Sequence, residues 1–283
     1  MTEALPMTVN PLIPKGLFDR IVVVSLPASA DRRAHIRAHF AQVGITDYAF
    51  FDACDATAPE VHALFGTDRV LRYPPCFRCG KEDCGKPDCN NVLTPPQVAV
   101  FATYLKLWQQ IAQTDERVLV CEDDVIFHPW TGGVLQKLAD HIQDGHLIFT
   151  GAEPALLRLG WALCADHDAA LPFRVDDTLR MSNPCHAVTG AYARALLDSF
   201  DRVEHTADVF QHQLAPVAAR GARTVFPPVA SELSWSVGSL ESLIHPKDRH
   251  ADWLEAQGRL DEAARYREHV AQHFRERAHK TPS

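Results

Sequence analysis

Several things are missing from this 283-residue chain, and each closes off a class of function. No stretch approaches the roughly 18 apolar residues of a membrane span. There is no basic surplus: 28 Lys and Arg stand against 36 Asp and Glu, a net charge of −8. That speaks against a general polyanion binder and against broad adhesion to anionic lipid, so nucleic acid is not expected as a partner, while peripheral membrane contact through a local patch stays open. The start, MTEALPMTVNPLIPKGLFDR, has neither a basic opening nor a continuous apolar core, so no secretory leader is expected. A cytoplasmic protein follows, whose eight cysteines are thiols or metal ligands rather than disulfides. No GxxxxGK[ST] phosphate loop and no internal repeat is present, and TGG at 131–133 is a weak substitute. A metal-dependent phosphoryl-transfer enzyme would want such a loop or further acidic ligands.

What is present fits an ordinary globular chain, 46% hydrophobic and 23% charged, with room for one large α/β domain or two small ones. DRIVVVSLP is a short apolar run suited to a buried parallel strand. SADRRAHIRAHFAQVG follows as a helix stopped by Gly44, and YAFFDA is a second strand. This β-α-β order points to a doubly wound sheet. TPPQVAVFATYLKLWQQIAQT reads as a helix with proline in its first turn. GHLIFTGA reads as a further buried strand, AYARALLDSF as a helix, and ARTVFPPVA as a strand running into a proline-rich loop. Residues 153–183 give no clear pattern. The tail, 251–278, reads as one long polar helix with a thin apolar stripe at Trp253, Ala256, Leu260, Ala263, Val270 and Phe274. The expected organisation is an irregular arm over 1–17, a main domain over 18–245 and a helical tail over 246–283.

In RVLVCEDDVIFHPW, Glu122, Asp123 and Asp124 stand between two apolar runs. They fall at the C-terminal end of an expected central strand, where open α/β sheets bind ligands. Their oxygens suit Mg²⁺ or Mn²⁺, and a cation would relieve their mutual repulsion. A solvated acidic turn is the plain alternative.

A second cluster, CFRCGKEDCGKPDC, spaces Cys76, Cys79, Cys84 and Cys89 as C-x2-C-x4-C-x4-C, inside an insertion over 74–92. Four thiolates can hold Zn²⁺ tetrahedrally. The segment resembles a zinc knuckle, with Phe77 after the first cysteine and GKE after the second; Cys84 stands where that family has histidine. Arg78, Lys81 and Lys86 are offset by Glu82, Asp83 and Asp88, so the favoured use is a structural zinc staple rather than a nucleic-acid contact.

Four blocks in order resemble glycosyltransferase family 25. They are IVVVSLPASADRR with its Asp31-Arg32 pair; FFDACDA; LTPPQVAVFATYLKLWQQI leading into VLVCEDDVIF; and HAVTGAYARALLDSF with Asp208 beyond it. The likeness spans about residues 19–235. It implies a GT-A-like, Rossmann-like mixed sheet flanked by helices, here carrying the four-cysteine zinc insertion and a C-terminal helix. It also implies a nucleotide-sugar donor, usually UDP-linked, and transfer of a hexose, with galactose a candidate, to a glycan or another hydroxyl.

By position, the resemblance makes Asp124 and Glu122 the metal-binding acids, with Glu122 or Asp123 reaching the ribose or a metal-bound water. Arg32 or Arg33 would meet the uracil side or the phosphates, and Asp208 would be the base of an inverting transfer; Asp52 and Asp55, placed just after an expected sheet strand, could face the donor. Arg32 and Arg33 read equally as a solvated helix start, Asp208 as a helix cap, and Asp52 and Asp55 as loop acids. His128 and His186 read as surface or core histidines. Pro96-Gln97 and Thr103-Tyr104 stand where the family has G-E and S-H, and Ser25 where it has asparagine. These departures keep a second reading in view, a decayed transferase scaffold that binds nucleic acid or protein through its zinc knuckle.

Overall fold

The computed structural model of the chain describes residues 12–76, 79–82, 92–164, 166–244 and 246–278. Cys84 and Cys89 therefore lie outside the described residues, as does most of the expected arm. The chain opens with β1 (Arg20–Ser25), α1 (Ala30–Gln42) and β2 (Ala49–Asp52), followed by α2 (Pro59–Gly66) and α3 (Pro95–Ile111). Local chemistry sets these bounds. Gly44 takes a left-handed φ of +77° behind α1, where a glycine carries no steric penalty. Thr94 and Gln97 form a capping box ahead of α3, with prolines at its first positions.

The central part runs β3 (Arg117–Glu122), β4 (Val125–Phe127), α4 (Thr131–Gln143), β5 (Leu156–Gly160), β6 (Arg174–Asp176), β7 (Cys185–Thr189) and α5 (Gly190–Ser199). After α6 (Ala207–Val209), a π-turn over Phe210–Leu214 and α7 (Ala218–Gly221) come β8 (Ala222–Phe226) and β9 (Ala230–Glu232). A second π-turn, Leu233–Val237, leads to α8 (Asp248–Ala256) and α9 (Leu260–Ala278).

The strands form one mixed sheet in the order β2-β1-β3-β7-β5-β8-β6, with β9 joining β4 to β5 at the side. β1 is parallel to both β2 and β3, whereas β7 is antiparallel to β3 and β5. Strand alternation splits the core into two layers. Val118 and Val120 pack with Tyr104, Trp108 and Leu107 of α3. Leu119 and Cys121 pack on the other face with Ile36 and Phe40 of α1 and Leu135 and Leu138 of α4. Glu122 shares the parity of Val118 and Val120, so its side chain falls on the α3 face.

Two expectations are corrected. Residues 145–152 are a loop and not a strand: Gly145 turns the chain at φ +76° behind α4, Ile148 is 67% exposed, and a Cβ on Gly151 would lie on the Asp115 carbonyl oxygen. The buried strand comes later, as β5. The tail is two helices, because Gly258 at φ +74° breaks it, and Leu260 of the expected stripe is 64% exposed. Ala251, Leu254 and Ala263 make a small core where α8 and α9 pair.

Helix α1 also ties down β4. The Phe127 N–H donates to His39 Nε2 at 2.9 Å, and His35 Nε2 donates to the Val125 carbonyl at 3.0 Å. Burial, and then neighbouring His35, holds the His39 pKa down at about 4. The neutral ring is the form the fold prefers, so its contribution is complete above pH ~6.5 and is lost as pH falls through about 4. His39→Ala should therefore cost about 1–3 kcal/mol at pH 7 by leaving the amide unpaired. In urea melts that deficit should shrink by pH 4; an equal deficit at both pH values would show that the hydrogen bond is not its source.

Candidate active site

The carboxylates of RVLVCEDDVIF meet at a corner of the sheet. β3 ends at Glu122, Asp123 and Asp124 form a two-residue turn, and β4 leaves to pair with β9 instead of folding back on β3. The β4–β9 register sets Val125 opposite Glu232, and the Leu233 N–H donates to the Asp124 carbonyl at 2.9 Å. A third acid thereby joins two of the expected ones: carboxylate oxygens of Glu122, Asp124 and Glu232 all lie within 4.8 Å of one another.

Each acid has distinct partners. Tyr104 Oη donates to Glu122 Oε1 at 3.1 Å, and Ser182 Oγ donates to Glu232 Oε2 at 3.0 Å. Ser234 Oγ donates to Asp124 Oδ2, while the buried Asp124 Oδ1 has no hydrogen-bond partner among the described residues. Asp123 faces elsewhere, accepting from Ser25 Oγ at 2.7 Å and Arg32 Nη1 at 2.7 Å. Arg32 Nη1 also lies 3.7 Å from Asp124, and its Nη2 donates to the Glu241 carbonyl at 2.5 Å.

Burial is the first cause of the electrostatic state here, and like charge the second. Burial, then the charges of Asp124 and Glu232, push the Glu122 carboxyl well above the usual carboxylate range. Burial and then the Asp124 charge push Glu232 up to about 8. Burial works against the Arg32 charge, but Asp124 and Asp123 outweigh it and raise its pKa. One guanidinium thus faces four carboxylates, an imbalance that a divalent cation would correct. The donor set fits such an ion: hard oxygens, clustered, with one lone-pair site unclaimed.

The remaining expected residues divide. Asp208 lies close enough for its charge to help raise Glu122 and Glu232, and its carboxylate accepts from the Ser182 N–H at 3.2 Å and Thr206 Oγ1 at 2.5 Å. Arg33 pairs with Asp52 at 2.5 Å and donates to the Ser25 carbonyl at 3.0 Å, forming a second cation–acid pair across β1 and β2, with the Asp52 side chain 69% exposed. Asp55 closes its own turn by accepting from Thr57 N–H and Oγ1, and does not join the cluster. His128 stacks on Trp130 and is held down to about 4 by burial. His186 lies buried against Tyr104 and is held down to about 3 for the same reason. In the insertion, Cys76 is buried and Cys79 exposed, and the N–H groups of Cys79 and Gly80 both donate to the Cys76 carbonyl.

The model of glycosyltransferase family 25, described as LPS biosynthesis protein, matches residues 18–171, more than half the chain. The chain belongs to glycosyltransferase family 25. No curated protein matches it. Family membership makes it a glycosyltransferase, with a sugar donor and an acceptor, on a Rossmann-like mixed α/β fold. Among the described residues no helix is long and apolar enough to cross a membrane.

The positions that depart from the usual family residues are occupied with work of their own. Gln97 accepts from the Thr94 N–H at 3.0 Å in the capping box. Thr103 Oγ1 accepts from the Cys54 N–H at 2.9 Å, and Tyr104 and Ser25 bind the acids as described. Sequence reasoning missed Glu232, Ser234 and Ser182, because none sits in a recognisable motif and Ser234 is 110 residues from Asp124. The one available signal was an acid closing the run PPVASE after a strand.

A buried carboxyl with a raised pKa favours its protonated form, so the cation-free fold should lose stability as pH rises from about 4.5 to about 8. Glu232→Gln removes that titration. The variant should be more stable than the parent by a few kcal/mol near pH ~8 and nearly equal to it near pH ~4.5. Thermal melts in chelator at both pH values check this, and a variant less stable at the higher pH would contradict it.

Proposed function

We propose that the chain transfers a hexose, galactose being a candidate, from a UDP-sugar to a glycan or another hydroxyl acceptor, with inversion at the anomeric carbon. The observation that carries this reading is the convergence of Glu122, Asp124 and Glu232, three buried or half-buried carboxylates whose oxygens lie within 4.8 Å. These three would hold Mn²⁺ or Mg²⁺, and such an ion supplies positive charge against the departing diphosphate. Arg32, held between Asp123 and the Glu241 carbonyl, adds a fixed cation on the same side. The Arg33–Asp52 pair at the end of β1 and β2 is our candidate for the nucleoside side of the donor.

Asp208 is the candidate base. In an inverting transfer its carboxylate takes the proton of the acceptor hydroxyl. That oxygen forms the new bond to the anomeric carbon as the bond to the diphosphate breaks. Ser182 and Thr206 hold it in orientation through the two hydrogen bonds described.

The zinc reading is proposed alongside, with Cys76 and Cys79 joined by Cys84 and Cys89. In its support, the Cys76–Gly80 turn gathers two N–H groups on one carbonyl, with Gly80 at φ +70°. The alternative of a decayed binding scaffold draws on the substituted helix positions; against it, the acids of the motif are all present, and Tyr104, Ser182 and Ser234 each bind one of the clustered carboxylates.

Mass action supplies the test. UDP should raise the melting temperature in Mn²⁺ and not in chelator, and Asp124→Asn should remove that shift while leaving a folded protein. If no UDP-sugar stabilises the protein in Mn²⁺, the donor assignment fails. Selective zinc chelation with Mn²⁺ present should lower the melting temperature; an unchanged melt would remove the structural zinc.

A further inference from the structure

The turn that brings Ser234 to Asp124 carries Trp235 as its next residue. Within Leu233–Val237 the two serines face inward. Ser234 Oγ binds Asp124, and the buried Ser236 Oγ accepts the Leu163 N–H at 2.7 Å. The alternate residues face out: Trp235 is 39% and Val237 44% exposed, and Leu163, joined to Ser236 by that bond, is 50% exposed.

The turn is braced from behind by α8. Arg249 Nη1 donates to the Ser236 carbonyl at 2.7 Å, and His250 Nδ1 donates to the Gly238 carbonyl at 2.6 Å. Gly238 has φ +81°, and a Cβ there would lie 2.4 Å from the Arg249 carbonyl oxygen, so only glycine lets the turn sit this close to the helix. Lys247 Nζ lies 4.6 Å from the Trp235 ring centroid, a cation held against the indole.

A single exposed apolar side chain is ordinary. Trp235 differs in its mounting. It is fixed one residue from the hydroxyl that binds Asp124, on the exposed side of a braced turn, with an ammonium group against its ring. An indole presents a broad flat apolar face. The C–H face of a pyranose ring matches it, while the sugar hydroxyls can take hydrogen bonds from Lys247. We propose that Trp235 is the platform on which the terminal pyranose of the acceptor stacks. The acceptor is then a glycan, not a lipid or peptide hydroxyl. This deepens the transferase reading above and rests on it for the word acceptor.

The test uses the full chain carrying ¹⁵N-labelled indoles, with lactose and cellobiose as probes and UDP with Mn²⁺ titrated in parallel. The Trp235 signal, identified by its loss in Trp235→Phe, should move with the disaccharides while those of the buried Trp108 and Trp161 stay in place. Trp235→Ala should weaken disaccharide binding about tenfold or more, and Trp235→Phe should restore most of it, because a flat ring is what the sugar needs. A sugar response at Trp235 without UDP binding would strike down the donor reading and leave the platform standing. UDP binding with an unmoved Trp235 signal, or a sugar response carried by Trp130 or Trp253, would overturn the platform. Silence in both titrations would remove both.

Discussion

Mutual repulsion among three carboxylates is the constraint around which this end of the molecule is arranged. Glu122, Asp124 and Glu232 have little water to screen them, and Arg32 is the counter-charge that reaches them among the described residues. Left to themselves they would splay. The β4–β9 pairing prevents that by fixing Val125 against Glu232, while Tyr104, Ser182 and Ser234 each hold one acid by a single hydroxyl. The sheet behind them is rigid because both faces of β3 are packed, one under α3 and one under α1 and α4. Stability is spent at the site and recovered in the layers beneath it, the usual division between scaffold and function.

The same logic explains why α3 is so thoroughly buried. It is the helix that brings Tyr104 to Glu122, and its other inward residues, Phe101, Leu107, Trp108 and Ile111, form a large part of that layer. Beneath the site lies a polar seam. His212 shares a short hydrogen bond of 2.5 Å with Asn183, and Arg158 is buried with its guanidinium on the His212 carbonyl and Thr224. Burial, then the nearby Arg158 and His186, keep the His212 ring neutral. The bonds of Arg158 to Thr224 and of His212 to Asn183 tie β5 to β8 and to the residues just ahead of β7, which favours one register, although Arg158 Nε and His212 Nδ1 find no hydrogen-bond partner among the described residues.

Much of this was legible in the chain itself. The apolar run of β1, the proline start and helical apolar spacing of α3, and the acidic end of β3 carry strong local signals, and each became the element expected. The failures have physical causes. GHLIFTGA reads as a strand because periodicity cannot tell a buried strand from a loop whose apolar residues plug the core singly, as Phe149 does. The tail reads as one helix because a glycine inside a helical pattern is only a weak breaker until its φ is known. At the site, the acids of the sequence motif were visible and the third member of the cluster was not. Register between β4 and β9 is a tertiary fact, and no pattern within either strand specifies the other.

That division has a consequence for how the protein can be cut and recombined. The family match ends at residue 171, yet β9 begins at Ala230 and the turn holding Asp124 follows it. A fragment bounded by the recognisable signature would keep the acidic motif and lose the third carboxylate and the serine that orients the second. Chimeras and truncations of this chain must therefore move the signature and its distant strand as one unit if the acidic cluster is to stay whole, because the piece that is easiest to recognise does not hold all three carboxylates.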